Sequence, residues 1–169
     1  MEVLTPHQVK HLLSVVRGDR YELVYVLGAT LGLRIGEALG LRWEDVDLDR
    51  ATLTVKRTLW RGKTYEPKTY SSYRTLFIPG IALEALQRHS KPSGWLTPTS
   101  KGTPVEPSNF YRWSWVPTKA KAELPSSLTF HTLRHCAASL LLNQKVPLPI
   151  VSRFLGHANP AITARVILT

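Results

Sequence analysis

The residues best suited to chemistry in this sequence are a histidine and an arginine that lie three positions apart, His131 and Arg134. Positions i and i+3 share one face of a helix. Apolar residues follow them at helical spacing, which predicts a well-packed helix with Thr129 as its N-cap. Both side chains would then project from the same face of a helix that is held in place by its packing. An imidazole beside a fixed positive charge predicts a site for an anion.

Two other segments carry the same residue types. His157 ends a Leu-Gly-His tripeptide, and Arg34 follows a Gly-Leu pair, with Glu37 three residues further on. Arginine suits phosphate because its planar guanidinium binds bidentately and stays charged at any working pH. Two arginines and two histidines therefore predict that the anion is a phosphate.

Each of these residues also has a purely structural interpretation. Arg34 and Glu37 can form an ordinary surface ion pair, worth about 0.2–0.5 kcal/mol. His131 can satisfy backbone groups at a helix start. His157 can lie at a helix end, where its charge is favourable near the C-terminal dipole. The occurrence of all the segments together, rather than any one of them, favours the functional interpretation.

Taken in order, these segments resemble the catalytic domain of the tyrosine recombinases, the phage integrase family of DNA strand-exchange enzymes. The resemblance covers nearly the whole chain. It rests on Arg34 with Glu37, Lys68 in a Pro-Lys-Thr setting, the His131-x-x-Arg134 pair, and His157. It implies site-specific DNA recombination or integration, with cleavage and rejoining of a strand through a 3′-phosphotyrosyl intermediate.

The resemblance also implies a role for each matched residue. Fixed donors aimed at the non-bridging oxygens of the scissile phosphate lower the barrier to its attack. Arg34 and Arg134 would clamp that phosphate, and His131 and His157 would donate hydrogen bonds or relay protons. Lys68 would protonate the departing 5′-oxygen, and Glu37 would orient Arg34. Neither a metal nor a cofactor is indicated.

The tyrosine nucleophile of the family is expected near Ile167, where this sequence has none. The nearest tyrosine in the sequence is Tyr111. Three explanations are considered: truncation with the tyrosine beyond Thr169, decay of an integrase gene, and supply of the tyrosine in trans. As given, the chain is expected to be cleavage-deficient. The alternative from another class is a degenerate, non-catalytic DNA-binding module; a more distant one is a nuclease with His131 or His157 as base toward water.

Length, composition and charge limit the number of domains and the class of binding partner. With 169 residues, 43% of them hydrophobic, the chain is long enough for one ordinary domain with a core. The resemblance implies that this is a single catalytic domain over residues 1–169. By the resemblance, that domain would lack an N-terminal DNA-binding domain and the usual C-terminal tail. The formal net charge of +10 favours a polyanion. We expect double-stranded DNA as partner, with further recombinase protomers on it, no membrane, and a cytoplasmic location. A single cysteine, Cys136, excludes an intramolecular disulfide.

Other basic residues are predicted to bind DNA phosphates rather than to cut DNA. For any single one, a solvated basic surface remains the alternative. Trp113 and Trp115 are equally consistent with core packing and with DNA contact. The predicted DNA-binding residues are Arg57, Arg61, Lys63, Arg74, Arg112, Lys119 and Lys121.

These residues must be positioned by a mainly helical α+β fold with a small antiparallel β-sheet. A Thr-Pro-x-Gln pattern at Thr5 predicts a capped first helix. Strand-forming residues predict strands over 52–55 and 75–78, with a polar, basic stretch over 57–74 between them. Periodicity predicts further helices over 21–31, 81–89, 108–115, 131–142 and 148–154, and one that starts at 159–160.

Overall fold

The structure is a computed structural model that describes residues 3–67 and 69–167, with side chains through residue 164. Its architecture confirms the predicted α+β class. The helices are α1 (Pro6–Val15), α2 (Glu22–Leu31), α3 (Ile35–Leu39), α4 (Gly80–His89), α5 (Pro107–Phe110), α6 (Val116–Lys121), α7 (His131–Asn143), α8 (Leu148–Leu155) and α9 (Pro160–Ile167). The strands are β1 (Val46–Asp47), β2 (Thr52–Val55), β3 (Thr58–Trp60), β4 (Lys63–Tyr65) and β5 (Arg74–Phe77).

The strands form two small antiparallel units within the described residues. One sheet has the order β1-β2-β5, with Leu53 of β2 opposite Leu76 of β5 and both side chains in the core. The other is a β3–β4 hairpin whose two-residue turn, Arg61 and Gly62, has positive φ at both positions. Such a turn matches the right-handed twist of the flanking strands. The sequence predicted β2 and β5, whereas it indicated only a polar, basic stretch where the hairpin lies.

The helix starts show where local sequence was sufficient and where it was not. Thr5 caps α1 in the predicted capping box with Gln8. The prediction that Thr129 caps α7 was wrong. Phe130, directly before the helix, already has helical φ and ψ, and no side chain caps this end. Among the described residues, the Thr129 hydroxyl accepts no hydrogen bond from an amide of the first turn; instead, the amide of Thr129 donates to the Thr132 hydroxyl at 3.3 Å.

The core is built around α2, which is apolar on nearly every side and packs against α4 and α7. Tyr25 of α2 lies among the rings of Phe110, Trp115 and Phe130, with centroid separations of 5.4–6.4 Å. Its hydroxyl forms a hydrogen bond with Ser114 at 2.7 Å. Trp115 is therefore a core residue, while the Trp113 side chain is 65% exposed. This separates the two tryptophans that the sequence left equivalent.

Candidate active site

Arg34 lies at a sharp break between two helices. Gly32 ends α2 in the left-handed conformation, and Arg34 then occupies the N-cap position of α3 with extended backbone. The Arg34 amide donates to Glu37 Oε1 at 2.9 Å, and its guanidinium lies 3.8 Å from Glu37 Oε2. The side chain of Arg34 is 42% exposed, while that of Glu37 is buried. Glu37 therefore fixes the backbone of Arg34 and leaves much of its guanidinium open to solvent.

Arg134 is the buried counterpart of Arg34. Its Nη1 donates to the carbonyl of Gly32 and its Nη2 to that of Leu155, each at 2.6 Å. These carbonyls lie at the ends of α2 and α8, where no partner within the helix is available. Arg134 thus holds three helices together. A guanidinium has five N–H groups, so the two bonds leave donors for an anion.

The charge of Arg134 survives this burial. Desolvation, followed by repulsion from Arg34, lowers the pKa of Arg134 to about 9; Glu37 opposes the shift. The group is still protonated at neutral pH. An anionic ligand would stabilise the charged form of a guanidinium that is buried beside other cations.

The two candidate histidines differ in how they are held. His157 follows Gly156, the left-handed C-cap of α8, and its Nδ1 shares a hydrogen bond of 2.6 Å with the buried hydroxyl of Thr163 in α9. Within the described part of the chain, its Nε2 has no hydrogen-bond partner. His131 begins α7, with its ring centroid 4.8 Å from that of His135 in an edge-to-face arrangement. Among the residues that the structure describes, His131 is thus supported by this ring contact, and no hydrogen bond holds its imidazole.

Both imidazoles are neutral at physiological pH. Desolvation, followed by the positive charges nearby, lowers the pKa of His131 and of His157 to about 4 in each case. The largest charge effect on His131 comes from His135, and that on His157 from Arg134. A neutral imidazole has one donor and one acceptor nitrogen. Each ring can therefore either donate a hydrogen bond or accept a proton.

The structure brings four of the predicted site residues into one cavity. Arg34, His131, Arg134 and His157 line a cleft of about 170 Å³, together with His135, Leu155 and Ile162. They come from the α2–α3 break, from α7, and from the end of α8. The result is two guanidiniums and three imidazoles, those of His131, His135 and His157, around one small space. This arrangement can bind a phosphate and supply both charge and proton-transfer groups.

Arg74 differs from its prediction as a DNA contact. Its side chain is buried, with Nη1 2.9 Å from Glu37 Oε2 and Nη2 3.3 Å from Glu37 Oε1. Its Nε also donates to the carbonyl of Phe154 at 2.8 Å. Burial alone would raise the pKa of Glu37, but hydrogen bonding and charge from Arg74 lower it, so Glu37 stays ionised. Arg74 thus holds Glu37, which in turn holds the backbone of Arg34. No spacing in the sequence indicated this role.

The other predicted DNA contacts fall into two groups. Arg57 is largely buried, with Nη1 2.6 Å from Asp45 Oδ2 and 2.8 Å from the Gly40 carbonyl. Lys119 donates to the carbonyls of Ser126 and Leu128 at 2.6 and 2.9 Å. Arg57 is largely buried and Lys119 is half-buried, and both already form hydrogen bonds within the chain, so a DNA contact by either one stays a prediction. The exposed members of the set are Arg61, Lys63, Arg112 and Lys121.

Two predicted positions are not described in full. Lys68 lies outside the described residues, so its role stays a prediction. Ile167 is the last residue of α9, four positions beyond Thr163, and its side chain lies outside the description.

Among the described residues, no three His, Cys, Asp or Glu side chains converge as metal ligands would. In the same part of the chain, no helix combines the length and apolar character needed to span a bilayer.

Comparison with known proteins adds an independent line of evidence. The profile described as the phage integrase family matches residues 2–166. A tyrosine recombinase XerC-like protein of Caldanaerobacter subterraneus is 29% identical over 98% of this chain and 50% of its own length. Tyrosine recombinase XerC of Methylobacterium nodulans is 33% identical over 88% of this chain and 44% of its own. The chain thus spans about half the length of these curated relatives.

Solved structures agree with the sequence matches. The Tn1549 transposon integrase, in complex with a circular intermediate DNA, superposes with a TM-score of 0.84 and 25% identity, covering 97% of this chain and 60% of that one. The catalytic domain of bacteriophage HP1 integrase superposes with a TM-score of 0.69, covering 98% of this chain and 86% of its own. At 20% identity, this second likeness concerns the fold alone.

Proposed function

Because the chain belongs to the phage integrase family, we propose that it binds double-stranded DNA and holds a scissile phosphate in the cleft between Arg34 and Arg134. The wider reaction is site-specific recombination by strand cleavage and rejoining. The observation that carries the proposal is the convergence of Arg34, His131, Arg134 and His157 on one cavity. A surface ion pair, a helix start and a helix end would have no reason to meet in this way.

The two arginines have different tasks in this proposal. Arg134 is fixed by two carbonyls before any DNA arrives, so its remaining donors need little reorganisation as charge develops on the phosphate. Arg34 is the more exposed of the pair and makes the first electrostatic contact. His157, held through Nδ1, presents Nε2 as the available ring nitrogen. In the strand-transfer step of the family, a tyrosine hydroxyl, which the sequence after Tyr111 does not supply, would pass its proton to a neutral imidazole of the cleft as its oxygen bonds to phosphorus. The bond from phosphorus to the 5′-oxygen would break, and Lys68 would protonate that oxygen.

A second candidate function is a DNA-binding module without catalysis, acting alone or beside active protomers. The specific observation that favours it is the sequence after Tyr111, which contains no tyrosine. Both candidates require the same phosphate cleft. They differ in whether the cleft still supports covalent chemistry once a nucleophile is present.

A nucleophile-restoration experiment separates the two functions. The variants Ile167→Tyr and Ile167→Phe are each incubated with a pool of nicked duplexes of random sequence, and covalent protein–DNA adducts are sought on a denaturing gel. Phenylalanine is the matched control because it has the ring without the hydroxyl. A band with Ile167→Tyr alone supports a strand-transfer cleft. No band in either variant, with duplex binding intact, favours the non-catalytic module.

Duplex binding itself is the more basic test. The chain should bind a DNA duplex of about 20 base pairs with an affinity that falls steeply as salt rises, because phosphate contacts release counterions. Loss of one such contact in Arg34→Ala should lower the slope of the logarithmic salt plot by about 1. Absence of duplex binding at low salt would overturn both candidate functions. Hydrolysis without a covalent adduct would instead indicate a nuclease.

A further inference from the structure

A second and larger cavity lies beside the phosphate cleft. Its volume is about 540 Å³, and it shares Arg34 with the cleft of about 170 Å³. Trp60 and Tyr65 of the β3–β4 hairpin line it, and so does Glu66. Arg34 therefore stands at the boundary between a cationic site and an aromatic one.

The aromatic character comes from one face of the hairpin. The register pairs Thr58 with Tyr65 and Trp60 with Lys63, so these four residues share a face. Leu59 points to the other face and is buried. Trp60 and Tyr65 are 53% and 48% exposed, so the core does not use their rings fully. The guanidinium of Arg61 lies 5.7 Å from the centre of the Trp60 ring and adds positive charge beside it.

The hairpin has a fixed position relative to Arg34. Strand β3 packs against α3, where Gly36 gives it room. A Cβ atom at Gly36 would lie only 2.9 Å from the carbonyl oxygen of Leu59, closer than such atoms approach. The helix that begins at Arg34 therefore supports the aromatic strand directly. The cavity is part of the folded scaffold rather than a feature of a free loop.

We propose that this aromatic cavity receives one unpaired nucleobase of the DNA strand whose phosphate occupies the Arg34 cleft. The inference rests on the proposed function. A base is joined to its own phosphate through a single sugar, and Arg34 lines both cavities, so one nucleotide reaches both. Aromatic side chains stack on any base through its π-face. Glu66 and Thr58 supply the polar groups that a base edge can use.

The test compares three end-labelled duplexes of about 20 base pairs by fluorescence anisotropy. One is continuous, one has a single bulged adenosine, and one has a bulged abasic sugar with the same backbone. The abasic bulge controls for flexibility and bending of the DNA. We expect the adenosine bulge to be bound about tenfold more tightly than the abasic bulge, as expected for stacking of one base.

Protein variants locate the effect. Trp60→Ala should reduce the preference for the adenosine bulge to less than about twofold, whereas Trp60→Phe, which still stacks, should retain most of it. Trp113→Ala is the matched control, since Trp113 is 65% exposed and does not line this cavity. The control variant should keep the full preference.

Four results would overturn the inference, and they can be told apart. Equal binding of the two bulged duplexes, with Arg34-dependent binding of the continuous duplex intact, would overturn the nucleobase site alone. If none of the three duplexes binds, or if Arg34→Ala changes binding to none of them, the proposed function fails as well. A preference that survives Trp60→Ala would also exclude the aromatic cavity as its source.

Discussion

Arg74 and Glu37 form a buried ion pair, with Nη1 2.9 Å from Oε2 and side chains that are only 7% and 6% exposed. The pair adjoins Arg34 of the cleft, because Glu37 also accepts the backbone N–H of Arg34. Arg74 reaches the end of α8 through the Phe154 carbonyl, close to His157. Through its ion pair with Glu37 and its bond to Phe154, Arg74 of β5 thus connects α3 and α8.

Breaking this pair should destabilise the protein strongly. Glu37→Gln leaves the Arg74 guanidinium buried without a counter-charge, and such a change typically costs about 3–5 kcal/mol. The free energy of unfolding, measured by urea denaturation, checks this. The control is Glu84→Gln, because Glu84 and Arg17 form a pair at 3.7 Å whose side chains are 62% and 63% exposed.

The control variant should change the free energy of unfolding by less than about 1 kcal/mol. Similar small losses in both variants would mean that the Glu37–Arg74 pair is not isolated from water. Its assignment as the support of Arg34 would then fall.

Substitutions of the two arginines of the cleft should have different effects, one mainly on stability and the other mainly on DNA binding. Arg134→Ala removes hydrogen bonds to two helix-end carbonyls and should lower the free energy of unfolding by about 2–4 kcal/mol. Arg34→Ala should weaken duplex binding with a change in stability below about 1 kcal/mol, because that side chain is well exposed. Urea denaturation and duplex titration of both variants check this. Lys121 is exposed on α6, and Lys121→Ala should change both stability and duplex binding only slightly. A loss of binding as large as in Arg34→Ala would contradict the assignment of the DNA-binding site to the cleft.

The histidines should make stability depend on pH in a defined window. In the unfolded chain their pKa is near 6.5, whereas in the fold that of His131 and of His157 is about 4. Between these values the unfolded chain binds more protons, so the free energy of unfolding is highest above about pH 6.5 and falls as the pH falls toward 4. The pKa of His135 is lowered as well, mainly by desolvation, and acts in the same direction.

Urea denaturation at about pH 7 and about pH 5 checks this window. His157→Gln should reduce the loss of stability between the two conditions. His7→Gln, an exposed residue of α1 outside the cleft, is the matched control and should leave the loss as it is. An unchanged loss in His157→Gln would show that this imidazole is not held neutral by its surroundings.

Glu22 should control stability in a separate, more acidic window. Burial would raise its pKa, but hydrogen bonds from Arg88, His89 and the Gly18 amide lower it from 4.5 to about 2. Because the folded-state pKa is the lower one, this contribution is present above about pH 4.5 and is lost as the pH falls toward 2. Glu22→Gln should cost about 3 kcal/mol at neutral pH. Glu44→Gln, whose side chain is 64% exposed, is the control; equal costs would contradict the assignment.

The sequence by itself predicted most of the helices and four of the residues that line the cleft. Local physics is sufficient for both: Thr5 and Gln8 satisfy backbone donors of their own helix start, and Gly156 ends α8 in a backbone conformation that suits glycine. His131 and Arg134 share a helical face because of their spacing alone. The mainly helical fold with one small antiparallel sheet followed from the same periodic patterns, whereas the β3–β4 hairpin did not.

Only the tertiary structure decided which charges are free and which are engaged. Arg34 and Arg74 look alike in sequence, yet one is exposed and the other pairs with Glu37 in the interior. The burial of an arginine depends on partners distant in the chain, such as the Gly32 and Leu155 carbonyls that fix Arg134. No local pattern encodes such contacts, because they form only when the helices that carry them pack together.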